Sequence, residues 1–179
     1  MPQTLRVYLA SPLGFSSEHN PYRDKVTAVL VAQGCALFDP WEQGHFNQRI
    51  HEAQNIMDYS LRVIAFKEIA AAIGKCNEDG IRDADLVFAI LDGAEVDSGT
   101  ASELGFGSAL GKRCYGLRTD FRESGDFHGV PVNLQVLHFI ERTGGKLFRR
   151  IDEIVIDRNS ALAANEQGIL AKGEVSHDD

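Results

Sequence analysis

The six residues Leu86–Leu91, LVFAIL, are apolar without interruption, with Asp83 and Asp85 before them and Asp92 directly after. A strand with one wet face alternates apolar and polar residues, so a strand apolar on both faces must be covered on both. That run predicts an inner strand of a parallel sheet. Further strand-like runs lie at Leu5–Ala10 (LRVYLA, equally long but with Arg6 inside it), Cys35–Phe38 (CALF) and Cys114–Leu117 (CYGL).

Segments of helical character lie between these runs. Pro21–Gly34 places Val26, Val29, Leu30 and Ala32 on helical spacing, with Gly34 as a stop. Met57–Ile73, rich in Ala, Ile, Leu and Lys, reads as a helix that continues from Asn77 to Ala84 after a break near Gly74. Thr100–Leu110 is a further helix, ending at Gly111-Lys112-Arg113, where cations suit a helix carboxyl end. Residues 44–55 turn polar and are expected to form an irregular excursion near a pocket. Thr119–Gly129 reads as a loop, Val136–Ile140 as a fifth strand and Leu147–Ala164 as a last helix. Alternating strands and helices predict an α/β fold, a parallel sheet with helices on both faces.

With 179 residues, 44% hydrophobic and 25% charged, the chain suits one domain over residues 1–165, followed by a polar tail at 166–179 with the composition of a disordered segment. A formal net charge of −8 argues against a nucleic-acid polymer as partner, because such affinity rests on Lys and Arg neutralising phosphates. Three widely spaced cysteines suit reduced thiols, and neither a signal peptide nor a membrane-length apolar run is visible. The expected setting is soluble and cytoplasmic, with no membrane partner.

In open α/β sheets ligands sit beyond the carboxyl ends of the strands. Three such ends carry chemistry-bearing residues: Tyr8 to Ser17, Asp39 to Trp41, and Asp92 to Glu103. In DSGTASELGFG (97–107), Asp97 or Ser98 is placed to cap a helix, and Thr100 with Glu103 fits a capping box. The same residues read equally as an active site, since two carboxylates near a helix amino end can divide the roles of nucleophile and proton handler. Gly105 and Gly107 cost about 1 kcal/mol each relative to alanine inside a helix. Close approach by a backbone or a ligand would justify them.

The loop Ser11-Pro12-Leu13-Gly14-Phe15-Ser16-Ser17 offers a turn shaped by Pro12 and Gly14, or a weak phosphate cradle; it matches no nucleotide signature. Tyr8 reads either as a core tyrosine or as a hydroxyl reaching Glu103. Trp41, the only tryptophan, either closes the core beneath Pro40 or presents a face to a nucleobase. His45, His51 and Glu52 show no metal-binding spacing, and Ser98 lacks the GxSxG context of a serine hydrolase. Neither a metal nor another cofactor is expected.

Taken in order, VYLASPLGFS, FDPW, Asn77 followed by Asp85-Leu86-Val87, DSGTASELGFGSALGK, TDFRESG and VNLQVLHFI resemble the nucleoside 2-deoxyribosyltransferase family. The resemblance spans residues 7 to about 145. It implies a Rossmann-like, flavodoxin-like five-stranded domain that moves 2-deoxyribose between nucleobases by double displacement. Glu103 matches the family nucleophile, Asp97 an aspartate near the sugar hydroxyls, and Tyr8 the tyrosine that positions the nucleophile. Asn133 matches a residue donated by a neighbouring subunit, which implies a homo-oligomer. Ser11, Pro12, Leu13, Phe15, Asp39, Trp41, Asn77, Ser98, Gly99 and Gln135 complete the implied substrate-binding set, for small deoxynucleosides and free bases.

Two positions depart from the family pattern. Where members commonly carry an aspartate that handles the base's proton, this chain has Asn77, so that Asp79, Asp39 or the base itself would have to serve. Where methionine is common, it has Gln135. Two rival readings accompany the transferase: an N-glycosidase of 2′-deoxynucleoside 5′-monophosphates, with Ser11–Ser17 on the phosphate, and a non-catalytic nucleotide-binding domain.

Overall fold

The computed structural model describes residues 4–158 and residue 161. Five strands, β1 (Leu5–Ala10), β2 (Cys35–Phe38), β3 (Leu86–Ile90), β4 (Arg113–Leu117) and β5 (Leu147–Phe148), form one sheet in the order β2-β1-β3-β4-β5. Every pairing is parallel. This is the flavodoxin-like order, with its topological switch between β1 and β3.

Both faces of the sheet are covered, as the LVFAIL run requires. Leu5, Val7 and Leu9 of β1 with Leu86, Phe88 and Ile90 of β3 bury one face against Val26 and Leu30 of α1 (Asn20–Ala32). Tyr8, Ala10, Val87 and Ala89 bury the other with Ile81, Leu104, Val136 and Ile140. Those last four come from α3 (Tyr59–Asp83), α4 (Ser98–Ala109) and α5 (Leu134–Arg142). Strand alternation thus sends Tyr8 to the α3–α4 side while its neighbours Val7 and Leu9 go to the α1 side.

Four sequence expectations are corrected. Residues 44–55 are not irregular: α2 (His45–Gln54) occupies them, with Phe46 and Ala53 buried. Helix α3 runs through Gly74 unbroken: its φ is not positive and nothing lies within 4 Å of the missing side chain, so neither a turn nor a close contact marks the glycine as a break. Val136–Ile140 is the middle of α5 rather than a strand. Asn133 caps it by accepting from the Gln135 and Val136 amides, and Val136 and Ile140, one turn apart, are the buried pair.

The fifth strand is instead Leu147–Phe148, where a helix was expected; two residues suffice to pair with Gly116 and Leu117 at the sheet edge. Ile151–Glu153 then makes a short 3₁₀ turn. The remainder of the expected last helix, Ala161 apart, and the tail at 166–179 lie outside the described residues. Among the described residues no helix is long and apolar enough to cross a membrane. Cys35 and Cys114 are buried and Cys76 half-buried, and all three are free thiols.

Candidate active site

At the carboxyl ends of β1 and β2 two loops are pinned together. The Ser11 hydroxyl accepts the Leu13 amide at 3.1 Å, and the Ser11 carbonyl accepts Trp41 Nε1 at 2.7 Å. Asp39 caps the turn Pro40–Glu42 by accepting the Trp41 amide at 2.9 Å. It is itself buried 3.6 Å from Arg23 Nε of α1. Burial raises the Asp39 carboxyl above its ordinary range, opposed by that amide and by Arg23. The Trp41 ring lies over Gly14, where a Cβ would come within 1.9 Å of it, and Phe15 meets it edge-on at 4.6 Å. Gly14 is therefore a seat for the indole.

At the carboxyl end of β3 the chain turns into α4. Asp97 is the cap: its Oδ2 accepts the Thr100 amide at 2.8 Å and the Thr100 hydroxyl at 3.1 Å. The capping box of Thr100 with Glu103 does not form, because the helix begins at Ser98 and Glu103 stands more than a turn inside it. Glu103 Oε1 instead accepts the Tyr8 hydroxyl at 2.7 Å. No other hydrogen bond reaches the Glu103 carboxylate among the described residues, which leaves Oε2 available.

These elements enclose a cavity of about 430 Å³, within the range of roughly 300–1,000 Å³ usual for small-ligand sites. Ser11, Phe15, Trp41, Asn77, Asp97, Gly99 and Glu103 line it, all from the sequence-derived set. Tyr8 sits fully buried behind Glu103. Among the described residues, Asp97 and Glu103 are the titratable side chains on the wall. Burial lifts the Glu103 carboxyl to about 7; the Tyr8 hydrogen bond opposes this, while the charges of Asp97 and Asp39 add to it. The Tyr8 phenol is pushed well above its ordinary value by burial and by the charge of Glu103, so it stays protonated and donates.

Among the described residues no three His, Cys, Asp or Glu side chains gather in a way that could hold a metal ion. What the arrangement can do is present a partly desolvated carboxylate, one oxygen held and one free, to an electrophile the size of a nucleoside.

The profile of the family described as Nucleoside 2-deoxyribosyltransferase matches residues 7–135. The chain belongs to that family. Nucleoside 2-deoxyribosyltransferases are enzymes of glycosyl transfer on small nucleosides. No curated protein sequence matches significantly. Among solved structures, a conserved protein from Enterococcus faecalis V583 is 22% identical with a TM-score of 0.56, over 92% of this chain and 99% of its own. The 2-deoxyribosyltransferase of Bacillus psychrosaccharolyticus is 23% identical with a TM-score of 0.54, over 87% and 95%. Both share the Rossmann-like α/β fold.

Several residues that the deoxyribosyltransferase resemblance implied stand off the cavity wall. Leu13 is buried in the α1-side core, and the Pro12 carbonyl accepts the Phe15 amide within the turn. Ser98, exposed, opens α4, and its carbonyl accepts the Ser102 hydroxyl. Asp39 is taken up by the Trp41 amide and Arg23. Asp79, a candidate proton handler, faces a different groove and pairs with Lys75 on the exposed side of α3. Asn133 and Gln135 are exposed at the start of α5 and outside the cavity of their own chain.

Nor do the glycines behind Glu103 make room for a ligand. A Cβ at Gly107 would come 2.5 Å from Val87 Cγ2, and one at Gly105 would come 3.3 Å from the Phe139 ring. They let α4 settle on β3 and on α5.

The wall also holds Thr100 of the DSGT turn and residues that sequence reasoning missed: Gln43, Phe46, Asn47, Ile50 and Ile73. For α2 a signal was present. Phe46, Ile50 and Ala53 recur at i, i+4 and i+7, the stripe of a helix with one apolar side.

Proposed function

We propose that this enzyme transfers 2-deoxyribose between nucleobases through a covalent deoxyribosyl intermediate on Glu103. The observation that carries the reading is the Glu103 carboxylate, lining the cavity with Oε1 held by Tyr8 and Oε2 unengaged.

In the first displacement Oε2 attacks the anomeric carbon of a deoxynucleoside. The carbon–oxygen bond forms as the glycosidic carbon–nitrogen bond breaks, and its electron pair leaves with the base, which takes up a proton. In the second, a ring nitrogen of another base attacks the same carbon, Glu103 recovers its electron pair, and the incoming base loses a proton. Two inversions give net retention, the device of a retaining glycosidase. A 2-hydroxyl would withdraw electron density from the oxocarbenium-like transition state, so the deoxy sugar is the easier substrate. Asp97, with one oxygen fixed by the helix cap, would engage the sugar hydroxyls.

With Asp39 and Asp79 off the wall and an amide at 77, the proton of the leaving base comes from the base's own chemistry or from water. Water as second acceptor gives slow hydrolysis. No cofactor enters this scheme. The reading extends to a single domain over residues 1–165 and to cytoplasmic nucleoside salvage. It also extends to a homo-oligomer in which Asn133, exposed with its side-chain oxygen committed to the cap, completes a neighbour's site.

The test is incubation with a deoxynucleoside and a second free base. Appearance of the new deoxynucleoside, absent with Glu103→Ala, is the expected result. Free deoxyribose alone would replace the transferase by an N-glycosidase. Binding without turnover of any deoxynucleoside or its monophosphate would replace it by a non-catalytic domain.

A further inference from the structure

Tyr8 is held from both sides within the sheet. Its register partners are Phe38 on β2 and Val87 on β3, so these two side chains flank it on the face covered by α3 and α4. The Phe38 ring stacks on the Tyr8 ring with centroids 5.4 Å apart and planes 14° from parallel. Each flanking side chain in turn lies against a glycine of the covering helix. A Cβ at Gly80 of α3 would sit 2.6 Å from Phe38 Cε1, and one at Gly107 of α4 would sit 2.5 Å from Val87 Cγ2. Both are closer than real Cβ contacts come. Gly80 and Gly107 are both buried within their helices, and neither has a positive φ. Backbone freedom therefore does not explain them, and close packing does.

The consequence reaches the carboxylate. Glu103 is four residues before Gly107, one turn along the same side of α4, so the depth at which Gly107 rests on Val87 sets the height of Glu103 over the sheet. Gly80 sets how far the Phe38 ring is received by α3, and hence where the Tyr8 ring stands. Both ends of the 2.7 Å hydrogen bond are thus referred to the same patch of sheet.

The geometry points to Phe38 with Gly80, and Val87 with Gly107, as positioning residues that fix the Tyr8 hydroxyl against Glu103. None of the four lines the cavity, and they act only through Tyr8 and α4. The inference rests on the reading of Glu103 as nucleophile for its effect on rate, though not for its effect on the carboxyl itself.

The experiment therefore has two readouts. One is the titration midpoint of the Glu103 carboxyl, taken by difference infrared spectroscopy against Glu103→Gln, which needs no turnover. The other is the split between kcat and KM in base exchange. Tyr8→Phe supplies the reference, because losing a donor to the charged form moves the midpoint upward. Asp97 and Asp39, the other charged groups acting on Glu103, are left unchanged.

Phe38→Leu, which keeps an apolar side chain but removes the stacking ring, is expected to move the midpoint in the same direction as Tyr8→Phe. It should lower kcat by roughly tenfold to a hundredfold, the scale of a misplacement near 1 Å, with KM little changed. Gly80→Ala and Gly107→Ala should do the same. Where either fails to fold, the single variants Phe38→Leu and Val87→Ala, which remove a flank of Tyr8 without adding an overlap, supply the measurement. Folded variants with the wild-type midpoint and kcat, alongside a shifted Tyr8→Phe, would overturn the inference. A shifted midpoint in an enzyme that exchanges no base would uphold the positioning and dismiss the transferase.

Discussion

The two walls of the cavity hold their polar groups in opposite ways. On the α4 wall each carboxylate has one oxygen tied and the other open: Asp97 is fixed through Oδ2 by the Thr100 amide and hydroxyl, and Glu103 through Oε1 by Tyr8. On the wall built by α2, α3 and the 40–43 turn, the side chains of Asn47 and Asn77 make no hydrogen bond among the described residues. Gln43 donates to the Asp39 carbonyl, and the rest of that wall is apolar or aromatic, from Trp41, Phe46, Ile50 and Ile73. A group that must meet developing charge gains from being oriented before the substrate arrives. A group that must recognise a flat heterocycle can take its partners from the ligand. On the proposed reading, chemistry is built into the side attached to the switch point of the sheet, and recognition into the side hung on added helices.

The contrast breaks most visibly at Glu103. Glu103→Gln keeps the shape and the acceptor for Tyr8 but removes the proposed nucleophile, so base exchange should fall by a factor on the order of 10⁴ or more. A residual rate within tenfold of wild type would detach the chemistry from this wall. Tyr8→Phe comes next, with a fall of roughly tenfold to a hundredfold in kcat/KM. In the wild type kcat/KM should rise with pH through about 7, because the proposed nucleophile is the ionised carboxyl. In Tyr8→Phe that rise should sit at higher pH. An unchanged profile would mean that the 2.7 Å contact does not tune the carboxylate.

How much of this was legible in the sequence also divides along the two walls. Asp97 and Glu103 follow the strand announced by the continuous apolar run Leu86–Leu91, Tyr8 lies within the β-rich run Leu5–Ala10, and the DSGT turn carries its own cap signal, so these three could be marked in the sequence before their contacts were known. The role of Gly105 and Gly107 could not, since the partners they receive, Phe139 and Val87, are fixed only by tertiary packing. On the other wall, α2 hid because most of its ten residues are polar and its apolar stripe is only Phe46, Ile50 and Ala53. The run VLHFI in α5 looked like a strand because a short apolar stretch has no period of its own; packing against α4 and β4 decides it. β5 is two residues long, below the reach of any periodicity.

The recognition wall should respond more gently. Asn47→Ala and Asn77→Ala each remove an amide on the cavity wall; if the proposed base completes its hydrogen bond, worth about 0.5–1.5 kcal/mol for a neutral pair, KM should rise roughly two- to tenfold with kcat nearly constant. The readout is steady-state kinetics across purine and pyrimidine donors. A loss in kcat larger than the change in KM would give either amide a part in the chemistry and erase the division between the walls.

The smallest effect expected is on stability, and it tests whether burial of Glu103 is real. Its folded carboxyl titrates near 7 against an ordinary 4.5, so between those values the unfolded chain releases a proton that the folded chain still holds. The contribution is fully present below about 4.5 and is lost as pH rises through about 7, because the fold must then carry a partly desolvated charge. Glu103→Gln removes that dependence. It should melt higher than wild type at pH 8, by roughly 2–4 °C if about 1 kcal/mol is at stake in a domain of this size, and the difference should close as pH falls toward 4. Asp39, raised by burial in the same direction, is present in both proteins and cancels. A variant that melts lower than wild type at pH 8 would mean that the Tyr8 hydrogen bond outweighs the desolvation. The reactive wall would then be a source of stability instead of a strain the fold carries for its chemistry.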